Sequence, residues 1–136
     1  MRFPYRGAGI GLVFEDKILL GLRSKHPFKK TWCVPGGGFD KTKDKDEISN
    51  AKREFEEETG VPFNESWKFL GSFSLSLPFF SWKTFFYKTD IEIKDFEPDE
   101  FYLLKWVHLS NVKKETAGFA LRPFAVSEFK KLNSLL

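Results

Sequence analysis

The chain has 136 residues, of which 41% are hydrophobic and 30% are charged, and this size and balance predict one globular domain with one core. A formal net charge of +3 is too small to indicate nucleic-acid binding, and the single cysteine, Cys33, excludes a disulfide framework within the chain. No segment reaches about 18 consecutive apolar residues and the first residues lack a signal-peptide pattern, so we expect a cytoplasmic protein without a membrane span.

Six stretches rich in β-branched, aromatic or alternating apolar residues predict strands. In chain order they are residues 7–14, 18–24, 31–34, 67–77, 82–91 and 102–109. Two helices are also predicted, the first over 47–59, from an N-cap at Asp46 to Gly60, and the second over 123–134. Strands interleaved with helices predict a single α/β domain, residues 1–136, with helices packed on a mixed sheet.

Three glycines, Gly36 to Gly38, follow Pro35 and are predicted to form a loop that precedes the first predicted helix. Glycine lets the backbone approach a ligand closely and expose its carbonyl oxygens. Charge is also uneven here, because residues 40–58 contain eight acids and five bases, whereas the rest of the chain contains 11 acids and 17 bases. An acidic site within a basic surround suits a metal cation together with an anionic ligand.

The first predicted helix places several carboxylates on one face. At about 100° per residue, Glu54, Glu57 and Glu58 fall together, Glu47 lies near them, and an adjacent apolar face is predicted to pack on the sheet. Arg53 is four residues before Glu57 and can pair with it. A solvated, charged helix face has the same pattern, so the helix by itself does not decide whether this face binds a ligand.

The glycines and the acids together favour a metal site. Carboxylates and backbone carbonyls are hard oxygen ligands of the kind that Mg²⁺ and Mn²⁺ prefer. Because Mg²⁺ in enzymes commonly bridges to phosphate oxygens, the combination predicts a Mg²⁺ site for phosphoryl chemistry.

At these residues the sequence resembles the MutT-like Nudix hydrolases. The box of that family reads Gly, five residues, Glu, seven residues, then Arg-Glu-hydrophobe-any-Glu-Glu-any-Gly-hydrophobe. Residues 53–61, REFEEETGV, match its second half at every specified position, and Pro-Gly-Gly precedes them as in the family. The resemblance covers nearly the whole chain and implies a Nudix-type α/β/α sandwich, with a mixed β-sheet between helices.

The first half of the box departs from the family pattern. The box glutamate falls on Lys43 when counted forward from Gly37 and on Lys45 when counted back from Arg53, because this stretch is two residues longer than in the family. Three nearby acids remain open as its replacement. They are Asp44, Asp46 and Glu47.

The resemblance implies hydrolysis of a nucleoside diphosphate linked to a group X, with Mg²⁺ or, as a substitute, Mn²⁺. The metal ligands that it implies are Glu54, Glu57, Glu58 and the Gly36 carbonyl, with the number of metals left open. Arg53 is expected to orient the glutamates. The proton acceptor stays open among Glu54, Glu57 and Glu100, an acid six residues before Trp106.

Substrate contacts are expected outside the acidic helix. Arg23, at the end of the second predicted strand, and the backbone of Gly37 and Gly38 are expected to contact the phosphates. Trp32 and Cys33 are predicted to be core residues. Five aromatic residues are candidates for stacking on a base, namely Phe3, Tyr5, Phe79, Phe80 and Trp82.

The expected substrate is a small nucleotide, with a nucleoside triphosphate or a nucleotide sugar attacked at phosphorus as the first choice. We expect neither a nucleic-acid polymer nor a membrane as partner. Homodimers are common in the family, and the sequence leaves open whether this chain is a monomer or a homodimer. Two alternatives stay open. One is a catalytically silent Nudix module that binds a nucleotide or regulates a partner, and the other is an isopentenyl diphosphate isomerase-like enzyme, which would require a catalytic cysteine.

Overall fold

The computed structural model describes residues 4–25, 28–112 and 121–136. Within these residues the chain forms seven strands, two α-helices and one 3₁₀ helix. In chain order they are β1 (Tyr5–Phe14), β2 (Lys17–Arg23), β3 (Trp32–Cys33), β4 (Gly36–Gly38), α1 (Glu47–Thr59), β5 (Lys68–Leu77), β6 (Phe80–Lys88), β7 (Phe101–His108), the 3₁₀ helix (Leu109–Asn111) and α2 (Ala125–Leu135). None of the helices in these described ranges is long and apolar enough to cross a membrane.

The strands form one mixed sheet around β1. This strand pairs in parallel with β6 from Tyr5 to Val13, and it pairs antiparallel with β2 at one end and with β4 at the other. Strand β7 pairs antiparallel with β2, and β5 pairs antiparallel with β6. The predicted mixed sheet is therefore confirmed.

Helices cover both faces of this sheet. Alternate residues of β1, such as Ile10 and Leu12, join one apolar cluster with Ala51 and Phe55 of α1. The other cluster contains Leu132 of α2. Burying a side chain as large as Phe55 stabilises the fold by roughly 2–3 kcal/mol. The layers are those of the predicted α/β/α sandwich.

Helix α1 has the predicted bounds because both of its ends carry strong capping signals. The Asp46 carboxylate accepts a hydrogen bond from the Ser49 amide at 3.0 Å, and the Asp46 amide donates to the Ser49 hydroxyl at 3.1 Å. At the other end, Gly60 has a φ of 73°, which suits glycine, and its amide donates to the Glu56 carbonyl. This pattern fixes the position of every glutamate on the helix.

The prediction of a loop at the three glycines was wrong. Gly36 to Gly38 form β4, which pairs with residues 7–9 of β1. Glycine is depleted in strands, so the composition gave no strand signal here. The predicted strand 31–34 shortens to Trp32–Cys33, and both residues are buried core residues as predicted.

Candidate active site

A cavity of about 320 Å³ is lined by residues from β1, β2, β4, α1 and β6, together with Phe28 and residues that precede β7 and α2. Its volume is at the lower end of the range for small-molecule sites. The lining combines carboxylates, arginines and aromatic rings. Of the predicted site residues, Arg23, Gly36 to Gly38, Glu54 and Glu100 all line it.

Glu54 lies directly against β4. A Cβ atom added to Gly37 would be 2.5 Å from Cδ of Glu54, so only glycine lets the carboxylate pack on the backbone here. Burial raises the pKa of Glu54 above its ordinary value, although neighbouring Arg53 opposes the shift. The glycine run thus brings a partly desolvated carboxylate to the cavity wall.

Glu58 is almost completely buried, with 2% of its surface exposed. The Gly36 amide donates to its Oε1 at 2.9 Å, whereas its Oε2 accepts no hydrogen bond from any described residue. Burial, and then the charge of Glu54, raise the pKa of Glu58 well above its ordinary value. A buried carboxylate oxygen without a partner is costly, and a cation beside it would offset that cost.

Glu57 takes a different position on the helix. Its side chain is 47% exposed, and it accepts a hydrogen bond from Nη1 of Arg53 at 3.1 Å, as the four-residue spacing predicted. Within the three described stretches of the chain, no group of three or more His, Cys, Asp or Glu residues is arranged to hold a metal ion. The structure therefore brings Glu54 and Glu58 to β4 and leaves Glu57 on the outer side.

The oxygen atoms around β4 nevertheless suit a hard cation such as Mg²⁺ or Mn²⁺. Glu58 offers the unpartnered buried oxygen and Glu54 a second carboxylate. In an antiparallel pair of strands, hydrogen-bonded and non-hydrogen-bonded residue pairs alternate. The Ile10 amide bonds the Pro35 carbonyl, so the next pair, Gly9 and Gly36, is not hydrogen-bonded, and the backbone groups of Gly36 point away from β1. The Gly36 carbonyl is therefore a third oxygen that can bind the metal.

Arg53 links the acids to the glycine strand. It pairs with Asp44 through two hydrogen bonds of 2.8 Å, it donates to the Gly38 carbonyl at 3.0 Å, and its Nη1 lies 3.1 Å from both Glu54 and Glu57. A guanidinium held by two bonds to one carboxylate has a fixed plane. This geometry suits the predicted role of orienting the glutamates.

Each of the three acids considered for the missing box position has another partner. Asp44 pairs with Arg53, Asp46 caps α1, and Glu47 accepts from Nη2 of Arg6 at 3.0 Å. Hydrogen bonding to these partners lowers the pKa of all three carboxyls. None of the three lines the cavity, so the lengthened stretch provides structural acids.

Arg23 is the last residue of β2, and Glu100 immediately precedes β7. Arg23 lies at a register shift where β2 meets β7, and the Ser24 amide donates to the Glu100 carbonyl at 2.9 Å. Glu100 has a φ of 63°, a strained value for a residue other than glycine, and Lys25 Nζ is 3.7 Å from its carboxylate. Strained residues cluster at functional sites, which fits the predicted role of Glu100.

Aromatic rings cover another part of the cavity. Tyr5, Phe80 and Trp82 line it, as their predicted role in stacking requires, whereas Phe79 is 67% exposed and does not. Phe3 lies outside the described residues. The rings of Tyr5 and Phe80 stack with centroids 5.2 Å apart, and burial raises the pKa of Tyr5 to about 12.

Three lining residues were missed by the sequence reasoning, namely Phe28, Arg122 and Phe124. The last two precede α2, more than 60 residues after the end of α1, and no local pattern marks any of the three as site residues. The guanidinium of Arg122 lies 4.4 Å from the centroids of both Trp82 and Phe124, so only the folded sheet brings them together.

The model of the family described as NUDIX domain matches residues 4–125 of this chain. No curated protein sequence matches the chain.

Three solved structures illustrate its structural relatives. The bifunctional NMN adenylyltransferase/ADP-ribose pyrophosphatase from Francisella tularensis, complexed with AMP and a Mn ion, is 19% identical with a TM-score of 0.76 over 96% of this chain. The chain spans only 40% of the length of that protein. An Ap4A hydrolase from C. elegans is 20% identical, with a TM-score of 0.71 over 96% of both chains.

The NUDIX domain of NrtR from Shewanella oneidensis, complexed with ADP-ribose, is 21% identical, with a TM-score of 0.70 over 95% of this chain and 86% of that one. At identities of 21% or less, these likenesses show a common fold.

Proposed function

The chain belongs to the NUDIX family. From that membership we propose that it is a pyrophosphohydrolase acting on a nucleoside diphosphate linked to a group X. It cleaves a phosphoric anhydride bond of this substrate, with water attacking phosphorus. The observation that carries this proposal is the buried carboxylate of Glu58, whose Oε2 has no partner among the described residues. This oxygen belongs to a group of hard donors around β4, beside a cavity that also contains arginine and aromatic side chains.

The residues that would hold Mg²⁺, or Mn²⁺ in its place, are Glu54, Glu58, the Gly36 carbonyl and, after release from Arg53, Glu57. When bound, such an ion lowers the pKa of a coordinated water and neutralises charge that develops on the phosphates. The Mn ion in the Francisella structure supports this assignment by analogy.

The protein's own groups supply orientation and proton transfer. Arg53 fixes the orientation of Glu54 through its paired contact with Asp44. The proton of the attacking water would pass to Glu54 or Glu100, because both line the cavity and a general base must reach the water. Glu57, the third candidate, would first have to release its hydrogen bond to Arg53.

A small nucleotide suits this cavity better than a polymer. A volume of about 320 Å³ accommodates a small molecule, and Arg23 and the rings of Tyr5, Phe80 and Trp82 line it. In this proposal Arg23 contacts a phosphate and the rings stack on a base. A nucleoside triphosphate or a nucleotide sugar meets these requirements. ADP-ribose and Ap4A, named for the relatives, belong to the same broad class of compounds.

Product identification with a panel of nucleoside triphosphates and nucleotide sugars in Mg²⁺ tests the proposal. We expect release of a nucleoside monophosphate or of pyrophosphate, with ¹⁸O from labelled water attached to phosphorus. The Glu58→Gln variant should lose this activity, whereas Glu56→Gln, on the exposed side of the same helix, should retain it. Turnover of no nucleotide by the wild type, or full activity in Glu58→Gln, would contradict the proposal.

A second function is a module that binds a nucleotide without cleaving it. Two observations favour it. Lysines stand where the family has the first box glutamate, and the described residues contain no group of three or more His, Cys, Asp or Glu side chains placed to hold a metal ion. Saturable nucleotide binding without any product, in Mg²⁺ and in Mn²⁺, would favour this module over the hydrolase.

A further inference from the structure

Arg122 is a buried arginine in the wall of the cavity, and the metal-binding assignment does not use it. Its side chain is 4% exposed, and it is held by Glu128 through Nε to Oε1 at 3.1 Å and Nη2 to Oε2 at 2.7 Å. Arginine carries five N–H donors in a rigid plane, and this pairing uses two of them. The end of the guanidinium formed by Nη1 and Nη2 keeps a second pair of parallel donors.

A chain of hydrogen bonds fixes this arginine and the neighbouring indole together. The Trp82 indole N–H donates to the Thr84 hydroxyl at 2.6 Å, and that hydroxyl donates to Oε2 of Glu128 at 2.5 Å. The guanidinium also lies 4.4 Å from the ring centroids of Trp82 and Phe124. Little conformational freedom remains to be lost when a ligand binds, because the plane is already held.

The carboxylate of Glu128 neutralises the charge of Arg122, and this determines which groups of a ligand Arg122 can bind. Glu128 is 2% exposed and forms a bidentate pair with the guanidinium, so the pair is neutral as a whole. A neutral pair attracts a phosphate only weakly, but its remaining N–H groups still donate to uncharged acceptors. Arg122 is therefore better suited to a carbonyl oxygen and a ring nitrogen than to the anionic part of a substrate.

The surroundings of Arg122 suit a planar ring. Tyr5, Phe80, Trp82 and Phe124 line the same cavity, with the rings of Trp82 and Phe124 5.7 Å apart. Trp82 also packs on β4, since a Cβ atom added to Gly36 would be 2.7 Å from its Cη2. Because Glu54 packs on the next residue of the same strand, a ring held here lies beside the carboxylates where phosphate would react.

We propose that Arg122 reads the base of the substrate through Nη1 and Nη2, and that it selects a 6-oxopurine, such as guanine or hypoxanthine, over adenine. Guanine and hypoxanthine present two adjacent acceptors, O6 and N7, which match the paired donors of a guanidinium. Adenine presents an amino donor at the same position, which arginine cannot accept. This inference rests on the proposed function, since it names the nucleotide on which the hydrolase acts.

Four substrates that differ only in the base edge test this inference on the wild-type protein: GTP, ITP, 7-deaza-GTP and ATP. We expect similar kcat/KM for GTP and ITP, and values about ten-fold to a hundred-fold lower for ATP and for 7-deaza-GTP, which lacks the N7 acceptor. Equal kcat/KM for GTP and ATP, or no loss with 7-deaza-GTP, would overturn the selection of a 6-oxopurine.

The Arg122→Lys variant assigns the selection to this residue, because lysine keeps a positive charge beside Glu128 but has no planar pair of donors. The ratio of kcat/KM for GTP to that for ATP should fall towards one in this variant. It should stay unchanged in Arg6→Lys, a matched variant of an exposed arginine that pairs with Glu47. An unchanged ratio in Arg122→Lys would overturn the role of Arg122, and if that variant does not fold, the 7-deaza-GTP comparison decides.

Equilibrium binding separates this inference from the proposed hydrolysis. Titration of the wild type with GDP and with ADP, followed by tryptophan fluorescence, should show about ten-fold or more tighter binding of GDP. If no nucleotide is hydrolysed but GDP binds more tightly than ADP, the proposed hydrolysis is wrong and the selection of the base by Arg122 is supported. If nucleotides are hydrolysed and the two diphosphates bind equally, the hydrolase stands and the reading by Arg122 fails.

Discussion

Two groups of acids lie within one stretch of 15 residues, from Asp44 to Glu58, and have opposite environments. The lead-in acids, Asp44, Asp46 and Glu47, each have a hydrogen-bonding partner that lowers the carboxyl pKa. The second group, called the cavity acids below, consists of Glu54, which lines the cavity, and Glu58, which is buried against the lining residue Gly36. Both are desolvated, and burial raises their pKa. Acids that are close together in the sequence can therefore have opposite pKa shifts. Those with hydrogen-bonding partners stabilise the fold, whereas those that are buried without enough partners can bind a ligand.

Asp44 is held in place by a turn within the stretch between Gly37 and Arg53, which is two residues longer than in the family. The Asp44 amide donates to the Asp40 carbonyl at 2.7 Å, and the Asp40 amide donates to Oδ2 of Asp44 at 2.8 Å. This compact turn presents Asp44 to Arg53. The residues that depart from the family spacing therefore hold Arg53 in place through a carboxylate of their own.

Replacing a cavity acid should have the largest effect. The Glu58→Gln variant keeps an oxygen for the Gly36 amide but loses the charge that would face a cation. We expect kcat/KM for the best nucleotide to fall roughly 10²- to 10⁴-fold. Steady-state kinetics check this, with Glu56→Gln as the matched control. A fall in kcat/KM of less than three-fold in Glu58→Gln would contradict the functional difference between the cavity acids and the lead-in acids.

Breaking the pair between Asp44 and Arg53 should affect stability first and activity second. Asp44→Asn leaves Arg53 with weaker partners in a part-buried position, so we expect a loss of about 2–3 kcal/mol in the free energy of unfolding. We also expect kcat/KM to fall about ten-fold because Arg53 is no longer fixed. Urea denaturation and kinetics measure both, and a loss of activity as large as that of Glu58→Gln would make Asp44 a member of the active site instead.

The two groups should also respond to pH with opposite signs. The pKa of Glu58 is raised above its ordinary 4.5, so its stabilising contribution is complete below that value and is lost as the pH rises through the folded pKa. The pKa of Asp44 is lowered from 3.8, so its contribution is present above that value and is lost as the pH falls through the folded pKa.

Urea denaturation of the protein in chelator, measured across pH 3 to 8, checks these signs. Glu58→Gln should remove the decline in stability towards neutral pH, and it should be at least as stable as the wild type at pH 7. Asp44→Asn should instead reduce the loss on the acid side. A Glu58→Gln variant with the same slope near neutral pH as the wild type would contradict the assignment of that slope to Glu58.

Removing the helix cap should have the smallest effect. Asp46→Ala loses the hydrogen bond to the Ser49 amide and should lower the free energy of unfolding by about 1 kcal/mol. Asp46→Asn should be close to wild type, because asparagine caps helices equally well. Both variants should keep their kcat, and a specific loss of kcat in Asp46→Asn would place this lead-in acid at the reacting centre.

Much of this arrangement could be predicted from local patterns. The bounds of α1 followed from Asp46 and Gly60, and the pair between Arg53 and Glu57 followed from helical spacing. The division between lead-in and cavity acids could not be predicted, because it depends on burial and on partners from other elements. Arg6, for example, comes from β1 and reaches Glu47 only in the folded chain.

The strand formed by the glycines and the position of Arg122 were also beyond local reasoning. Strand β4 exists because β1 offers it a hydrogen-bonding edge, which overrides the low strand propensity of glycine. Arg122 enters the cavity because α2 packs on the sheet and Glu128 holds the guanidinium beside Trp82. Both features depend on contacts between residues far apart in the sequence.

Binding of Mn²⁺, measured by calorimetry on the nucleotide-free protein, tests most directly whether the cavity acids and not the lead-in acids hold the metal. The wild type should bind Mn²⁺ saturably, Glu58→Gln should bind it at least ten-fold more weakly, and Asp46→Asn and Glu47→Gln should bind it as the wild type does. Unchanged binding in Glu58→Gln, or an equal loss in Asp46→Asn or Glu47→Gln, would contradict this account.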